Sequence, residues 1–565
     1  MSYDKPRKPV KVDVTKEKQN EEETEALDSV KKSPMKSPQN EDEESFHVLK
    51  TFGQITSIRG VQKVQRANSR FVRMLWIFFI ISMTLWLIST TIIFILDFLK
   101  FNTVWNIHTK YDDRTEFPSL TICAQNPFSK KAEENWKSGK IQSPNNFVKE
   151  RFRVISKLLD HNFTDMKAVI LMDNTDQYFA NLKLSEVIEL SHDISMIPFC
   201  TAKMGDDIYI GDKCNFDSHI NLTIKEFFHP NYFKCHTIEA SFEKSSIDIQ
   251  ELVMLIRLVP QRDLPEVQNS FLGDTFTRGD GLRVVVHEYK TYPDMDQHGM
   301  NLQAGKMNEL FFRTHKRVSL KTPINYCTDE VEKITHMAGK YISSSEKCEN
   351  MQNNLKIIKE CKCAITENPV PFETPQQFDE ISFCSKLPKN HSLESLEEFR
   401  NRLVCIGNVL GTESSHEHCF RRCTQYEYKI SASFSVWKPS VSNLKNFKEL
   451  YRAVGSDSLS ETKRFIKSQI EQSSTENEVV DDTLNFEDSH HYTHIRLKRQ
   501  NFDTIVEEER LVSDISVLIS RIGGICSLSI GLTTSFFVEI IEFSYLYITK
   551  KCKRSNQSHN KPRSV

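Results

Sequence analysis

Two apolar stretches interrupt a chain that otherwise mixes polar and hydrophobic positions. Met74–Leu96 (MLWIFFIISMTLWLISTTIIFIL) runs 23 residues without a charge, a proline or a glycine. A helix of that length reaches about 34 Å, enough to cross a hydrocarbon core of about 30 Å. Soluble helices seldom stay apolar on every side for so long, so the pattern predicts a transmembrane helix at 74–96. The polar stretch ahead of it argues against a cleaved leader. The second stretch, Ile522–Ile548, is free of charge as far as Val538 and then carries Glu539 and Glu542.

Basic residues sit on one flank of each stretch. Arg59, Lys63, Arg66, Arg70 and Arg73 precede the first, and Lys550, Lys551, Lys553 and Arg554 follow the second. Basic flanks mark the cytoplasmic side, so both termini are expected in the cytosol. The predicted organisation is a largely disordered cytosolic N-terminus (1–73), transmembrane helix 1 (74–96) and an extracellular cysteine-rich domain (97–514). A segment with transmembrane helix 2 (515–549) and a cytosolic tail (550–565) complete it. This describes a multi-pass protein of the plasma membrane.

Between the spans the periodicity alternates between strand and helix. Leu282–His287 and Ile495–Lys498 read as strands, while the stretch starting at Phe378 and the run Leu393–Leu403 read as helices. Gln472–Asp482 reads as a surface loop. Leu252–Val259 contains Arg257 and is too short for a third span. The class is α+β. Residues 1 to about 45 are rich in Lys, Glu and Pro and cannot bury enough apolar surface to order themselves. Ser33 and Ser37, each before a proline, are weak phosphorylation candidates.

Composition narrows the function. The 565 residues carry a net charge of −2, without the basic stripe that nucleic acid would demand. Of 14 cysteines, all but Cys526 and Cys552 lie between the spans, an even set that reads as an extracellular disulfide framework. A zinc site on Cys361-Lys-Cys363 or Cys419–Cys423 is the alternative, and it lacks paired CxxC spacing. Asn162-Phe-Thr164, Asn221-Leu-Thr223 and Asn390-His-Ser392 are glycosylation sequons in the same segment, while Asn556-Gln-Ser558 falls on the cytosolic side. His490, His491 and His494 are either a regulatory metal site or, the more ordinary reading, a solvent-exposed approach to a strand. No nucleophile–base pair, phosphate loop or HExxH helix is present, so neither an enzyme nor a cofactor is expected.

Two carboxylates in a membrane segment need a polar destination, because each costs about 2.5–3.5 kcal/mol at mid-bilayer. At 100° per residue Gly524, Ser527, Gly531, Ser535, Glu539 and Glu542 share one stripe, which Leu528 and Val538 also enter, with Phe536, Ile540 and Phe543 outside it. Such a stripe suits a cation path lined by several copies of the helix. The alternative is a helix-packing face with acids reaching the inner interface.

At these residues the chain resembles the degenerin/epithelial sodium channel (DEG/ENaC) family, over roughly residues 50–552. Phe117-Pro-Ser-Leu-Thr-Ile-Cys123-Ala-Gln-Asn-Pro-Phe128 is similar to that family's signature outside the first span. Gly281–His287, Tyr292-Pro293, Gly299 to Gly305 and Pro323-Ile-Asn-Tyr-Cys327 resemble its central strands and thumb, and Ile522-Gly-Gly524…Ile530-Gly531…Glu539-Ile-Ile-Glu542 its second span. The resemblance implies a trimeric, sodium-preferring, amiloride-sensitive channel whose extracellular domain has a hand-like palm, finger and thumb. It also implies the cysteine pairs Cys123–Cys235, Cys200–Cys214, Cys327–Cys423, Cys348–Cys419, Cys361–Cys405 and Cys363–Cys384. One family bridge is replaced by Gln352 and Glu417.

The departures bear on mechanism. The filter position reads Gly531-Leu532-Thr533 where the family has Gly/Ser-x-Ser. The gating dipeptide His-Gly becomes Arg59-Gly60. Arg521 replaces an acid at the outer mouth, and Val517 stands where the family prefers a very small residue. The sequence therefore reads as a subunit of a sodium or cation channel gated through its extracellular domain. Carbonyls and the Thr533 hydroxyl would replace water around the ion, and Glu539 and Glu542 would concentrate cations. Its partners would be sodium ions, the lipid bilayer and related subunits in a homo- or heterotrimer, with no nucleic acid. The alternatives are a two-span channel like the ATP-gated receptors, which lack the FPSLTIC segment, and a non-conducting regulatory or receptor subunit.

Overall fold

The computed structural model describes residues 56, 60–161, 163, 169, 172–216, 220, 222–240, 248–268, 279–330, 333–411, 419–436, 491–531, 536, 538–545 and 548–549. The chain divides into two compact units, 98–514 in one and 1–97 with 515–565 in the other.

The 98–514 unit is mixed α and β. Its first eight strands are β1 (Thr103–Lys110), β2 (Ser119–Ala124), β3 (Phe199–Met204), β4 (Asp207–Asp212), β5 (Leu222–His229), β6 (Phe233–Ala240), β7 (Ile249–Arg257) and β8 (Gly281–His287). Then come β9 (Met300–Gln303), β10 (Lys306–Val318), β11 (Cys327–Thr328), β12 (Lys333–His336), β13 (Gly339–Ile342), β14 (Arg421–Arg422), β15 (Thr424–Val436) and β16 (Tyr492–Leu511). A seven-stranded sheet runs β15-β10-β16-β7-β3-β4, with β1 also on β16, and a five-stranded sheet runs β5-β6-β2-β8-β9. The expected third-span exclusion holds locally, since Leu252–Arg257 lies within β7.

β16 is the longest strand. Its first half lies between β10 and β7, and its second half between β10 and β1. Ile495 and Leu497 are buried, and so are Thr504 and Val506. The inward parity therefore switches across residues 500–503, where the register with β10 jumps at Phe312/Thr314. A side-chain period of two allows that switch only where the ladder is broken. Gln500-Asn-Phe-Asp503, where the alternation is lost, is why sequence periodicity exposes no more than Ile495–Lys498 of this strand.

Both sheets feed one core. Leu120, Ile122 and Ile238 from the smaller sheet meet Leu252, Leu310, Phe312, Ile495 and Leu497 from the larger, and Phe117 packs edge-on against Phe312 at 5.3 Å. A second core gathers the helices Lys130–Lys137, Pro144–Asp160, Asn174–Asn181 and Leu184–Leu190 around Phe128, Trp136, Tyr178, Phe179 and Phe233. These helices start where side-chain caps allow: Ser143 accepts from Asn146 N, with Pro144 in the first turn, and Asp173 accepts from Thr175 N. Arg151, 1% exposed, crosses this core and donates to Gln177 Oε1, Val169 O and Met172 O.

Residues 328–420 leave and return at the bridge Cys327–Cys423 and carry the helices Ser345–Cys361, Pro375–Glu380 and Leu393–Leu410. The helix expected to begin at Phe378 begins instead at Pro375, after a Thr374–Gln377 capping box, and ends at Glu380. The run expected to end at Leu403 continues to Leu410. Six disulfides join Cys123–Cys235, Cys200–Cys214, Cys327–Cys423, Cys348–Cys419, Cys361–Cys405 and Cys363–Cys384. Cys361 and Cys363 take different partners, which removes the thiolates a zinc site would need.

In the other unit Arg70–Phe98 forms one helix of 29 residues with no buried side chain. Among the described residues it is the one helix long and apolar enough to cross a membrane. The second apolar stretch departs from the continuous helix assumed in the stripe above. A helix covers Ile515–Ser529, Gly531 has φ +72°, and helical residues resume at Phe536 and 538–545.

Candidate permeation site

The break at Gly531 is built by the residue type. A φ of +72° is left-handed backbone that glycine adopts freely and other residues resist. The hydroxyl of Ser529 donates to Ile525 O at 2.7 Å, and Ile530 N to Cys526 O at 3.3 Å, closing the helix just before the break. A helix C-terminus presents carbonyls without intrahelical partners and the negative end of its dipole, both attractive to a cation. Leu532, Thr533 and Ser535 lie outside the described residues.

On the helix Ile515–Ser529, Ser516, Ser520, Gly523, Gly524 and Ser527 are exposed along one side, and an added Cβ at Gly523 or Gly524 would meet nothing within 4 Å. Val517, seven residues before Gly524 and so beside it at the edge of this side, is half-buried. Beyond the break, Glu539 and Glu542 are three apart in the stretch 538–545 and so share a face, Glu539 half-buried and Glu542 exposed. Since residues 530–531 are not helical, the angular relation between Gly524 and Glu539 is not that of one continuous helix. The guanidinium of Arg521 lies 5.9 Å from the Phe94 ring centroid, within the range of a cation–π contact.

Ahead of the first apolar helix, Thr56 is buried and accepts from Gln62 Nε2 through its carbonyl at 3.1 Å. Gly60 is buried at φ +95°, and a Cβ there would stand 3.1 Å from Ile80 Cγ1 and 3.5 Å from Trp76 Cε3. Only glycine combines that backbone with so close an approach. Arg59 lies outside the described residues.

The 98–514 unit holds several buried ionisable groups that periodicity does not reveal. Arg499 donates to Thr115 O at 2.8 Å, Glu116 O at 3.1 Å and Thr115 Oγ1 at 3.1 Å, and burial pulls it down to about 10. Burial likewise holds His192, His236, His287 and His336 at about 4. Glu509 accepts from Thr103, Leu320 and Arg421, while Arg422 makes a two-pronged pair with Glu288. The only sequence signal for these arginines was their place beside Cys423.

The histidine cluster is corrected in part. His491 is half-buried and its Nε2 sits 2.5 Å from Asp263 Oδ2, and His494 is a residue of β16. His490 lies outside the described residues, among which no three metal-binding side chains converge. Asn390 is exposed, its Oδ1 accepting from Ser392 Oγ at 2.8 Å, and Asn162 and Asn221 fall outside the described residues.

The described residues thus combine one apolar helix of membrane length, a second apolar stretch broken at Gly531 and a two-sheet α+β domain closed by six disulfides. The amiloride-sensitive sodium channel family matches residues 52–543, and the chain belongs to it, a family of ion channels rather than enzymes. Epithelial sodium channel subunit gamma of Pan troglodytes is 19% identical over 68% of this chain and 64% of its own. The bile acid-sensitive ion channel of Homo sapiens is 22% identical over 87% and 84%. The FMRFamide-activated amiloride-sensitive sodium channel of Cornu aspersum is 20% identical over 70% and 62%. The chain thus spans less than two thirds of the length of the first and third of these relatives.

Proposed function

We propose that this chain is a subunit of a trimeric, sodium-preferring, amiloride-sensitive cation channel of the plasma membrane, gated through its extracellular domain. In this reading both termini are cytosolic, 98–514 is extracellular with a palm, finger and thumb arrangement, and related subunits join it in a homo- or heterotrimer. The observation that carries the reading is the break at Gly531 inside an apolar stretch. Non-helical backbone at membrane depth is tolerated only where it is buried in protein or lines water. Carbonyls around Gly531-Leu532-Thr533 and the Thr533 hydroxyl would then take the place of water around the ion.

Glu539 and Glu542, on one face below the break, would concentrate cations, and Gly524, Ser527 and Ser535 would line the path. Arg59, Gly60, Val517 and Arg521 would set gating. Arg521 places a fixed positive charge on each copy near the outer mouth, which favours assembly with subunits that carry an acid there. Two-electrode recording of the chain, alone and with related subunits, tests the whole reading. Inward current should fall when sodium is replaced and when amiloride is added, and Glu539→Lys with Glu542→Lys should reduce it at least about tenfold. Unchanged current in every combination would overturn it.

A further inference from the structure

Glu509 on β16 is a carboxylate whose side chain is 4% exposed and which draws donors from three separate parts of the chain. Thr103 Oγ1 donates to Oε1 at 2.7 Å, Leu320 N donates to Oε2 at 3.0 Å, and the Arg421 guanidinium reaches Oε2 at 3.4 Å. Each donor has a telling place. Thr103 opens β1, which starts just after the helix ending at Phe98, and β16 itself ends just before the helix starting at Ile515. Leu320 and Arg421 flank the neck of residues 328–420.

That neck is narrow and fixed. Cys327–Cys423 closes it, β11 pairs with β14, Ser319 N donates to Cys423 O at 2.7 Å, and Cys423 N to Thr328 O at 3.0 Å. Arg422, the next residue, turns to Glu288 just past β8. The two arginines therefore pin one neck to both sheets, and only the Arg421 branch reaches the strands that adjoin the apolar helices in sequence.

A buried carboxylate is stable only with charge-assisted donors, and an apolar residue would hold a static joint as well or better. We propose that Glu509 is the positioning residue through which movement of residues 328–420 reaches β1 and β16, and through them the two apolar helices. The proposal rests on the channel reading above. It names a joint between the stapled segment and the strands, not a pore residue.

Two readouts on the full chain test it. In detergent, hydrogen exchange of Glu509→Gln should rise about tenfold over 103–110, 319–328 and 504–511 while β2, β6 and β8 stay unchanged. Arg421→Met should act at the same places, and the double variant should do no more than Glu509→Gln, as members of one network behave. In a conducting subunit combination both single variants should shift the open fraction at least about threefold in the same direction, again without addition. Uniform exchange, additive variants, or local exchange with unaltered current would overturn the coupling and leave at most a staple. A wild-type chain silent in every combination would instead sink the channel reading, and the coupling with it.

Discussion

Thr103 and Leu511 stand opposite one another at the end of the β1–β16 ladder, and Val512 N extends the pairing to Asn102 O at 2.9 Å. The segment following one apolar helix and the segment preceding the other are thereby joined backbone to backbone. Antiparallel pairing of this kind lets the strands move together far more readily than apart. Any signal carried by β16 is thus shared with β1.

The bridge Cys327–Cys423 should dominate the stability of the joint. Its cysteines are 96 apart in sequence, and a loop of about 100 residues gains roughly 4–5 kcal/mol from closure in the chain-entropy treatment. Cys327→Ser with Cys423→Ser should lower surface delivery several-fold and lower the urea midpoint of the full chain. Removing Cys200–Cys214, separated by 14, should cost less. Equal losses from the two double variants would contradict the argument.

His336 makes the large unit sensitive to acid. Its Nε2 donates to Phe228 O at 2.8 Å and its Nδ1 accepts from Val370 N at 3.1 Å, an assignment that requires the neutral ring. Burial holds it at about 4, and the neighbouring bases His229 and Lys347 push the same way, between the rings of Phe227 and Tyr292. With the folded value below the ordinary 6.5, the unfolded chain takes up the proton first. The stabilisation is therefore complete above about pH 7 and is lost as pH falls from 6.5 to about 4. Each such histidine contributes a slope of at most about 1.4 kcal/mol per pH unit. Urea unfolding should weaken over that window, and His336→Gln should lower stability near pH 7 by about 1–3 kcal/mol while flattening the slope. A variant with the wild-type slope would refute the assignment.

What the sequence exposed and what it hid divide along physical lines. The first apolar helix, the α+β class and β8 followed from period and run length, because their patterns are local. The even cysteine count announced a disulfide framework, but the pairs needed the family resemblance, since spacing alone leaves many connectivities open. The break at Gly531 was hidden because hydropathy is blind to φ, so a stripe drawn at 100° per residue ran straight through it. Glu509 was hidden for another reason. In sequence it sits among Glu507, Glu508 and Arg510 as one more charge, and its burial is set by Leu320 and Arg421, far away along the chain.

Gly60 and Gly407 make a matched pair for substitution. At Gly60 the φ of +95° disfavours any side chain and a Cβ would press on Ile80 at 3.1 Å, so Gly60→Ala should cost about 1–2 kcal/mol of local strain. That segment precedes the first apolar helix, so the loss should show as altered open fraction at unchanged surface level. Gly407 lies in the helix Leu393–Leu410 with nothing within 4 Å, and Gly407→Ala should stabilise by about 0.5–1 kcal/mol with no effect on current. If Gly60→Ala left gating untouched, the close approach to Ile80 would have no functional weight.

Arg521 tests whether its own exposed face of the helix Ile515–Ser529 meets the ion. Its guanidinium is held near the Phe94 ring, so the charge has a defined position. Removing it deletes a contact typically worth about 0.5–1 kcal/mol at an exposed site, too little to unfold the helix pair. Two effects can therefore be separated. Arg521→Gln should raise inward cation current by removing repulsion, and Arg521→Asp should raise it further by adding attraction. Because the interaction is between exposed charges, the ratio of Asp to Arg currents should shrink as ionic strength rises from about 0.01 M to 0.15 M, where the Debye length falls from about 30 Å to about 8 Å. Phe94→Leu, which frees the guanidinium but keeps the charge, should change current less than either. Current that ignores the sign of residue 521 at low salt would place this side of the helix away from the conduction path.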